Sequence, residues 1–127
     1  GRSDNGGESE ARAAMILAGV AAPELQVEIT RPGNAGYYLA DYGWQMPNGS
    51  WMLAELHGLG KFEDDAQNEP EHTAAKTYRA ALMRDANLRA MGHNVIHFKL
   101  SDTYDVKAFG SMMRGYGIPT TKPYLDS

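Results

Sequence analysis

The sequence predicts a single α/β domain, and three observations support this prediction. At 127 residues the chain has the length of one ordinary domain and can bury a two-layer core without disulfide bonds or a structural metal. Segments with helical and strand-like patterns follow one another in the order helix, three strands, helix, strand, helix. No internal repeat interrupts that order. We therefore expect an αβββαβ core, with a mixed central sheet flanked by helices.

The first predicted helix runs from about Glu8 to Ala18, and Gly19 supplies the signal that ends it. Its apolar face is expected to consist of residues spaced i, i+3, i+4 and i+7, which are Ala13, Ile16, Leu17 and Val20. Residues 1–7 are polar and rich in glycine. We expect a disordered lead or a cloning remnant there.

Three strand-like segments follow this helix and are typical of a meander. They span Leu25–Thr30, Tyr37–Trp44 and Trp51–His57, and each is rich in apolar, aromatic or β-branched residues. Two turn-forming sequences, Arg-Pro-Gly-Asn at 31–34 and Pro-Asn-Gly at 47–49, separate them.

The second half of the chain predicts a long helix, a strand and a short helix. They follow a polar loop over about 58–71 and span roughly Thr73–Met91, Asn94–Leu100 and Tyr104–Arg114. The domain is therefore expected to occupy residues 8–115. Residues 116–127 are rich in glycine and proline, and we expect a loosely held tail.

The long helix carries a carboxylate within its predicted apolar stripe. The residues of this stripe are Ala74, Tyr78, Ala81, Leu82 and Leu88. Asp85 falls near the centre of the stripe, so its carboxylate needs a partner. We expect an ion pair with Arg89, one helical turn later, rather than a catalytic role.

The composition restricts the classes of function. The absence of cysteine excludes a disulfide framework, a thiolate zinc site and a cysteine nucleophile, and fits a cytoplasmic location. The formal charge of −4 argues against nucleic-acid binding through bulk charge, so any basic surface must be local. No apolar segment approaches the roughly 20 residues that span a bilayer, so we expect no membrane association.

The turn at 47–49 is expected to bring two carboxylates together. Its sequence suits a type I turn followed by a left-handed glycine, which sets Met46 opposite Ser50. Counting back in this register sets Asp41 opposite Glu55 on the same face of the sheet. A two-residue Asn-Gly turn would shift the register by one and separate the acids. Facing like charges are destabilising, so such a pair commonly serves to bind a cation; two edge-strand charges facing water are the alternative.

Several short blocks of the chain resemble a domain family related to the very-short-patch repair endonucleases, within the PD-(D/E)xK nuclease superfamily. The blocks are Glu8-Ser9-x-x-Arg12, Pro23-Glu24-Leu25-Gln26, Leu39-Ala40-Asp41-Tyr42, Leu53-Ala54-Glu55-Leu56-His57-Gly58 and Arg84-Asp85-x-x-Leu88-Arg89-x-x-Gly92-His93-x-Val95-Ile96-His97-Phe98. They cover about residues 8–102 in the order and spacing of the family. Taken together, the blocks are fairly specific for this family.

This resemblance implies a restriction-endonuclease-like fold and hydrolysis of DNA phosphodiester bonds with Mg²⁺ or Mn²⁺. Asp41 matches the family's metal-binding aspartate, Glu55 matches its second acid and metal ligand, and Glu8 matches a helix acid near the same pocket. A hard cation held by carboxylates can polarise the scissile phosphate and lower the pKa of an attacking water.

His57 departs from the pattern of the superfamily, which has lysine two residues after the second acid. The family often shows Asp-Gly where this chain has His57-Gly58. A neutral imidazole can act as a general base near pH 7, so His57 is our candidate for the residue beside the attacking water. The same replacement also fits a catalytically silent regulatory or interaction domain, such as part of an antitoxin-like transcriptional regulator.

Four basic residues are candidates for contact with DNA. Lys61 follows the third strand on a glycine-rich loop, and Lys76, Arg79 and Arg84 cluster on the long helix. Ordinary solvated charges are the alternative for all four. The histidines follow no zinc-binding spacing. Because members of the family often act beside a partner or within a longer chain, a homodimer or an additional N-terminal DNA-binding domain is a further expectation.

Overall fold

The computed structural model describes residues 5–57 and 71–121. This part of the chain forms a four-stranded mixed sheet with helices on both faces, so the predicted α/β class is confirmed. Its elements are α1 (Asn5–Leu17), β1 (Glu24–Thr30), β2 (Tyr37–Gln45), β3 (Trp51–His57), α2 (Glu71–Ala90), β4 (Asn94–Lys99) and α3 (Val106–Gly115), with short 3-10 helices at Pro32–Asn34 and Leu100–Thr103.

The strands lie in the sheet in their order along the chain. β1, β2 and β3 form an antiparallel meander, and β4 pairs with β3 in parallel. A parallel pair needs a crossover connection, which α2 provides. The strand bounds agree with the predicted ones to within one residue.

Two apolar clusters hold the helices against opposite faces of the sheet. The larger lies between the sheet and helices α1 and α3, and its largest fully buried side chains include Met15, Tyr42, Phe109 and Met113. The smaller lies on the α2 side and consists of Val27, Ile29, Ala40, Leu53, Leu88 and Val95. The sheet is therefore covered on both faces, and α2 shares its face with the smaller cluster.

Helix α1 is already helical at Asn5, the first described residue and three residues before the predicted start, and it buries a different face from the predicted one. The buried residues are Ala11, Ala14, Met15 and Ala18, whereas Ile16 and Leu17 are each 40% exposed. Both sets satisfy helical spacing, so spacing alone could not choose between them. The alanine face allows a close approach to α3, since a Cβ added at Gly110 would lie 3.0 Å from that of Ala18. Only Val20, beyond the helix end, is buried as predicted.

Helix α2 also departs from its predicted stripe. Tyr78 and Leu82 are exposed, while Asp85 and Leu88 are buried. In the part of the helix whose side chains are described, contact with the sheet is made by its second half. The predicted burial of Leu88 and the central position of Asp85 are confirmed, and the predicted burial of Tyr78 and Leu82 is wrong.

The segment after α3 is held by the connection between α1 and β1. Thr120 forms an isolated bridge with Val20, the Thr121 N–H donates to the Gly19 carbonyl at 2.7 Å, and Ile118 is 3% exposed. The expectation of a loose tail from residue 116 onward therefore does not describe residues 118–121. Residues 122–127 lie outside the described part.

In the described ranges, no helix has both the length and the apolar character needed to cross a membrane.

Candidate active site

The hairpin between β2 and β3 has the predicted register. Gln45 pairs with Trp51 and Tyr42 pairs with Ala54, and the Met46 N–H donates to the Ser50 carbonyl at 2.8 Å. Gly49 adopts the left-handed conformation that the turn requires, with φ of 90°. The prediction that Asp41 lies opposite Glu55 is confirmed by this register.

At Asp41 and Glu55 the two strands are joined by hydrogen bonds from backbone N–H groups to side-chain carboxylates. The Asp41 N–H donates to Oε2 of Glu55 at 2.9 Å, and the Leu56 N–H donates to Oδ2 of Asp41 at 2.9 Å. Each carboxylate is therefore anchored by a backbone N–H of the opposite strand. The remaining oxygens, Oδ1 of Asp41 and Oε1 of Glu55, accept no hydrogen bond from the residues described.

Asp41 lies where the alternation of β2 breaks. Ala40 packs in the cluster on the α2 side, yet Tyr42, two residues later, packs in the cluster on the α1 side. On the neighbouring strand Gln26 has a positive φ of 52°, and the pairing of β1 with β2 skips Gln26 and Asp41. Irregularities of this kind bend a strand and redirect a side chain, and they occur often beside active sites.

Arg84 of helix α2 lies against the carboxylate pair. Its Nη2 is 3.2 Å from Oε2 of Glu55 and donates to the Leu39 carbonyl at 2.6 Å. Its Nη1 is 3.2 Å from Oδ1 of Asp85. The structure therefore places this candidate for DNA contact beside Glu55, where its guanidinium bonds to three groups of the protein.

The surroundings of the pair favour the protonated form of Glu55. Burial raises the pKa of Glu55 above its ordinary value, and the Asp41 carboxylate raises it further. The Arg84 guanidinium and the Asp41 N–H oppose this shift. The net shift of the pKa is upward, so the single guanidinium does not fully compensate for burial and for the second acid. A divalent cation would add the missing positive charge.

A chain of two imidazoles and a carboxylate runs beside the pair. Nε2 of His57 lies 2.7 Å from Nδ1 of His97, and the two ring planes are inclined by 23° with centroids 4.8 Å apart. Nε2 of His97 lies 2.6 Å from Oδ2 of Asp85. The parallel register of β3 with β4, in which Glu55 pairs with His97, brings these side chains together.

The partner predicted for Asp85 is therefore wrong. Asp85 pairs with His97 and Arg84, whereas Nη2 of Arg89 donates to the Val95 carbonyl at 3.2 Å. Asp85 faces the sheet, while the guanidinium of Arg89, one turn later, reaches the backbone of β4. A one-turn spacing on a helix permits an ion pair but does not require it.

Glu8 lies on the α1 side of the sheet. The Tyr42 hydroxyl donates to the Glu8 carbonyl at 2.8 Å, and Oε1 of Glu8 is 3.5 Å from Nε2 of Gln26. Burial raises the pKa of Tyr42 far above its ordinary value, and the carboxylates of Glu8 and Asp41 add to this shift. The carboxylates of Glu8 and Asp41 therefore both lie near the phenol of Tyr42. Nevertheless, in the described ranges no three His, Asp or Glu side chains form a group that could hold a metal ion.

The other candidates for DNA contact are placed only in part. Lys76 and Arg79 are exposed on the first half of α2. Lys61 lies outside the described residues. Arg31, which no sequence pattern singled out, lies over the Tyr38 ring with its guanidinium carbon 4.7 Å from the centroid, and Arg84 approaches the same ring at 6.0 Å.

Comparisons of the chain with models of protein families, with curated proteins and with solved structures found no match.

Proposed function

We propose that this chain is a metal-dependent nuclease domain with a restriction-endonuclease-like fold, which hydrolyses phosphodiester bonds of DNA. The observation that carries the proposal is the pairing of Asp41 with Glu55, two carboxylates on facing strands that each accept a hydrogen bond from a backbone N–H of the opposite strand. The resemblance to nucleases related to very-short-patch repair endonucleases supports the same assignment, because it selects the same two residues.

The donor atoms of this pair fit Mg²⁺ or Mn²⁺. Mg²⁺ is commonly held by one or two carboxylates, with the remaining positions filled by water and substrate phosphate, so two acids suffice. Backbone N–H groups fix one oxygen of each carboxylate, and Oδ1 of Asp41 and Oε1 of Glu55 are the atoms that would bind the ion. When bound, the ion would supply positive charge to the scissile phosphate and acidify a water molecule.

The neighbouring side chains would act on the phosphate and the water. Arg84 would steady Glu55, and its guanidinium would add positive charge beside the negatively charged substrate. His57, two residues after Glu55, would accept a proton from the attacking water. Lys76, Arg79 and Lys61 would contact phosphates flanking the scissile bond, and Glu8 would serve as an accessory acid.

The proposal is tested by nicking of supercoiled plasmid DNA in the presence of Mn²⁺ or Mg²⁺. Asp41→Asn and Glu55→Gln keep an acceptor oxygen for the backbone N–H that each residue binds, so both variants are expected to fold. We expect the wild type to convert plasmid to the nicked form, and each variant to lose at least about 100-fold in rate. Glu28→Gln, which changes an exposed acid in β1, is the matched control and should nick at the wild-type rate.

A catalytically silent binding domain is the second candidate, and the placement of Arg84 favours it. Its guanidinium lies 3.2 Å from Oε2 of Glu55 and partly neutralises the pair without a metal. Such a domain would bind DNA with an affinity that falls with salt, and would neither require a divalent ion nor cleave. Binding of a labelled DNA duplex that is unchanged by chelation, with no nicking under any metal condition, would favour this candidate.

A further inference from the structure

We propose that Asp85 and His97 are positioning residues that fix the tautomer and the ring orientation of His57. This inference rests on the proposed nuclease function for its catalytic consequence, whereas the tautomer itself can be measured without substrate or metal. The inference rests on a chain of two hydrogen bonds. One joins Oδ2 of Asp85 to Nε2 of His97 at 2.6 Å, and the other joins Nδ1 of His97 to Nε2 of His57 at 2.7 Å.

Asp85 determines which atoms donate and which accept in this chain of hydrogen bonds. This residue is 6% exposed, and its Oδ1 accepts a charge-assisted hydrogen bond from Nη1 of Arg84 at 3.2 Å. An ionised carboxylate can only accept hydrogen bonds, so the hydrogen between Asp85 and His97 belongs to Nε2 of His97. Asp85 is thus the fixed end of the chain, anchored on helix α2.

The remaining protons follow from the chemistry of the neutral imidazole. A neutral ring carries one proton, so His97, which has its proton on Nε2, can only accept at Nδ1. The atom facing Nδ1 is Nε2 of His57, which must therefore carry the proton of that ring. Nδ1 of His57 is left as the basic nitrogen, the atom through which this ring meets any further group.

The relative position of the two rings fixes the orientation of His57. The centroids of His57 and His97 are 4.8 Å apart with an interplanar angle of 23°. The two residues lie on adjacent parallel strands, so the sheet holds the rings at this spacing. A base that is oriented and held in one tautomer by a second residue is a recurring feature of hydrolytic sites. Asp85 and His97 would therefore hold His57 in one tautomer and one orientation. The lysine of the superfamily pattern has no tautomers and would not need this.

The decisive variant is Asp85→Asn, because it should reverse the direction of the chain. Arg84 requires an acceptor, so the amide oxygen of Asn at position 85 would face the guanidinium and the amide nitrogen would face His97. The amide would then donate to Nε2 of His97, and the proton of that ring would move to Nδ1. Nδ1 of His97 would donate to Nε2 of His57, so His57 would carry its proton on Nδ1.

The experiment is long-range ¹H–¹⁵N NMR of the imidazoles in the full chain, without metal or DNA, at about pH 9, where an ordinary imidazole is neutral. We expect the Nε2–H tautomer for both rings in the wild type and the Nδ1–H tautomer for both in Asp85→Asn. Asp105→Asn is the matched control, because asparagine also caps a helix and Asp105 lies outside the chain of imidazoles. It should give the wild-type spectrum.

A wild-type His57 in the Nδ1–H tautomer would overturn the inference, even if Asp85→Asn failed to fold. An unchanged His57 tautomer in a folded Asp85→Asn variant would also overturn it. In the plasmid assay, Asp85→Asn should lower the nicking rate about 10-fold or more, while Asp105→Asn should not. A reversed tautomer with a full nicking rate would refute the positioning role. Predicted tautomers in a protein that nicks no DNA would instead count against the nuclease function.

Discussion

Arg84 places a positive charge 3.2 Å from Oε2 of Glu55, and the coupling energy between these two side chains can be measured directly. We propose to measure it with a double-mutant cycle of Arg84→Met and Glu55→Gln. Methionine keeps the length and the apolar stem of arginine, so packing against the Tyr38 ring is largely retained. Glutamine keeps an acceptor for the Asp41 N–H. The cycle therefore isolates the charge interaction from the other bonds of each residue.

The expected coupling energy follows from the geometry of the ion pair. The charged atoms are 3.2 Å apart, which at an effective dielectric constant of about 20 gives a Coulomb energy of about 5 kcal/mol. The side chains of Arg84 and Glu55 are 21% and 19% exposed, so solvent screening and lost hydration offset much of this energy. The net value should approach that of a charge-assisted hydrogen bond, about 2 kcal/mol.

Urea unfolding at pH 7 measures all four corners of the cycle. We expect Arg84→Met to cost about 3 kcal/mol in the wild type, where it leaves two carboxylates without a guanidinium. In the Glu55→Gln background the same change should cost about 1 kcal/mol, since only the bonds to Leu39 and Asp85 are lost. Additive costs, within about 0.5 kcal/mol, would refute the assignment of Arg84 as the partner of Glu55.

Three further predictions concern the sheet and its titrating groups. Gly43→Ala should cost about 1–3 kcal/mol in urea unfolding, because a Cβ there would lie 2.8 Å from Cγ2 of Val27, whereas Gly115→Ala, with open space around it, should cost nothing. The pKa of Glu55 is raised in the folded protein, so protonated Glu55 stabilises the fold. This stabilisation is complete below the ordinary carboxyl pKa and is lost as the pH rises through the raised pKa of the folded state. The free energy of unfolding of Glu55→Gln, relative to wild type, should therefore increase between about pH 4 and pH 7. Burial lowers the pKa of His93, so the stability that the neutral imidazole contributes is lost as the pH falls through this lowered pKa. The melting temperature of His93→Asn should therefore vary less between about pH 7 and pH 5 than that of the wild type.

The β hairpin was predictable because its turn chemistry is local. Pro-Asn-Gly at 47–49 selects one turn geometry, and that geometry fixes which residues face each other across β2 and β3. The facing of Asp41 and Glu55 follows by counting. The hydrogen bonds from backbone N–H groups to these two carboxylates were not predictable from the turn. They accompany the break in the alternation of β2 and the irregular backbone at Gln26 of β1.

The environment of His57 required tertiary information. Its contact with His97 arises from the parallel register of β3 with β4, which the crossover helix α2 sets and no local signal encodes. The burial of Asp85 was visible in helical spacing, but its partner was not, because Arg89 and His97 were both compatible with the sequence. The buried faces of α1 and α2 were likewise ambiguous, since small alanine side chains at helical spacing compete with larger apolar ones.

The proposed nuclease function requires that a divalent ion bind to the pair of Asp41 and Glu55, and calorimetric titration of Mn²⁺ into the chain measures this binding. Binding to the native state can be followed in the absence of any substrate. We expect saturable binding to the wild type and to Glu28→Gln, and loss of that binding in Asp41→Asn. Absence of binding in the folded wild type, or equal binding in Asp41→Asn, would contradict it.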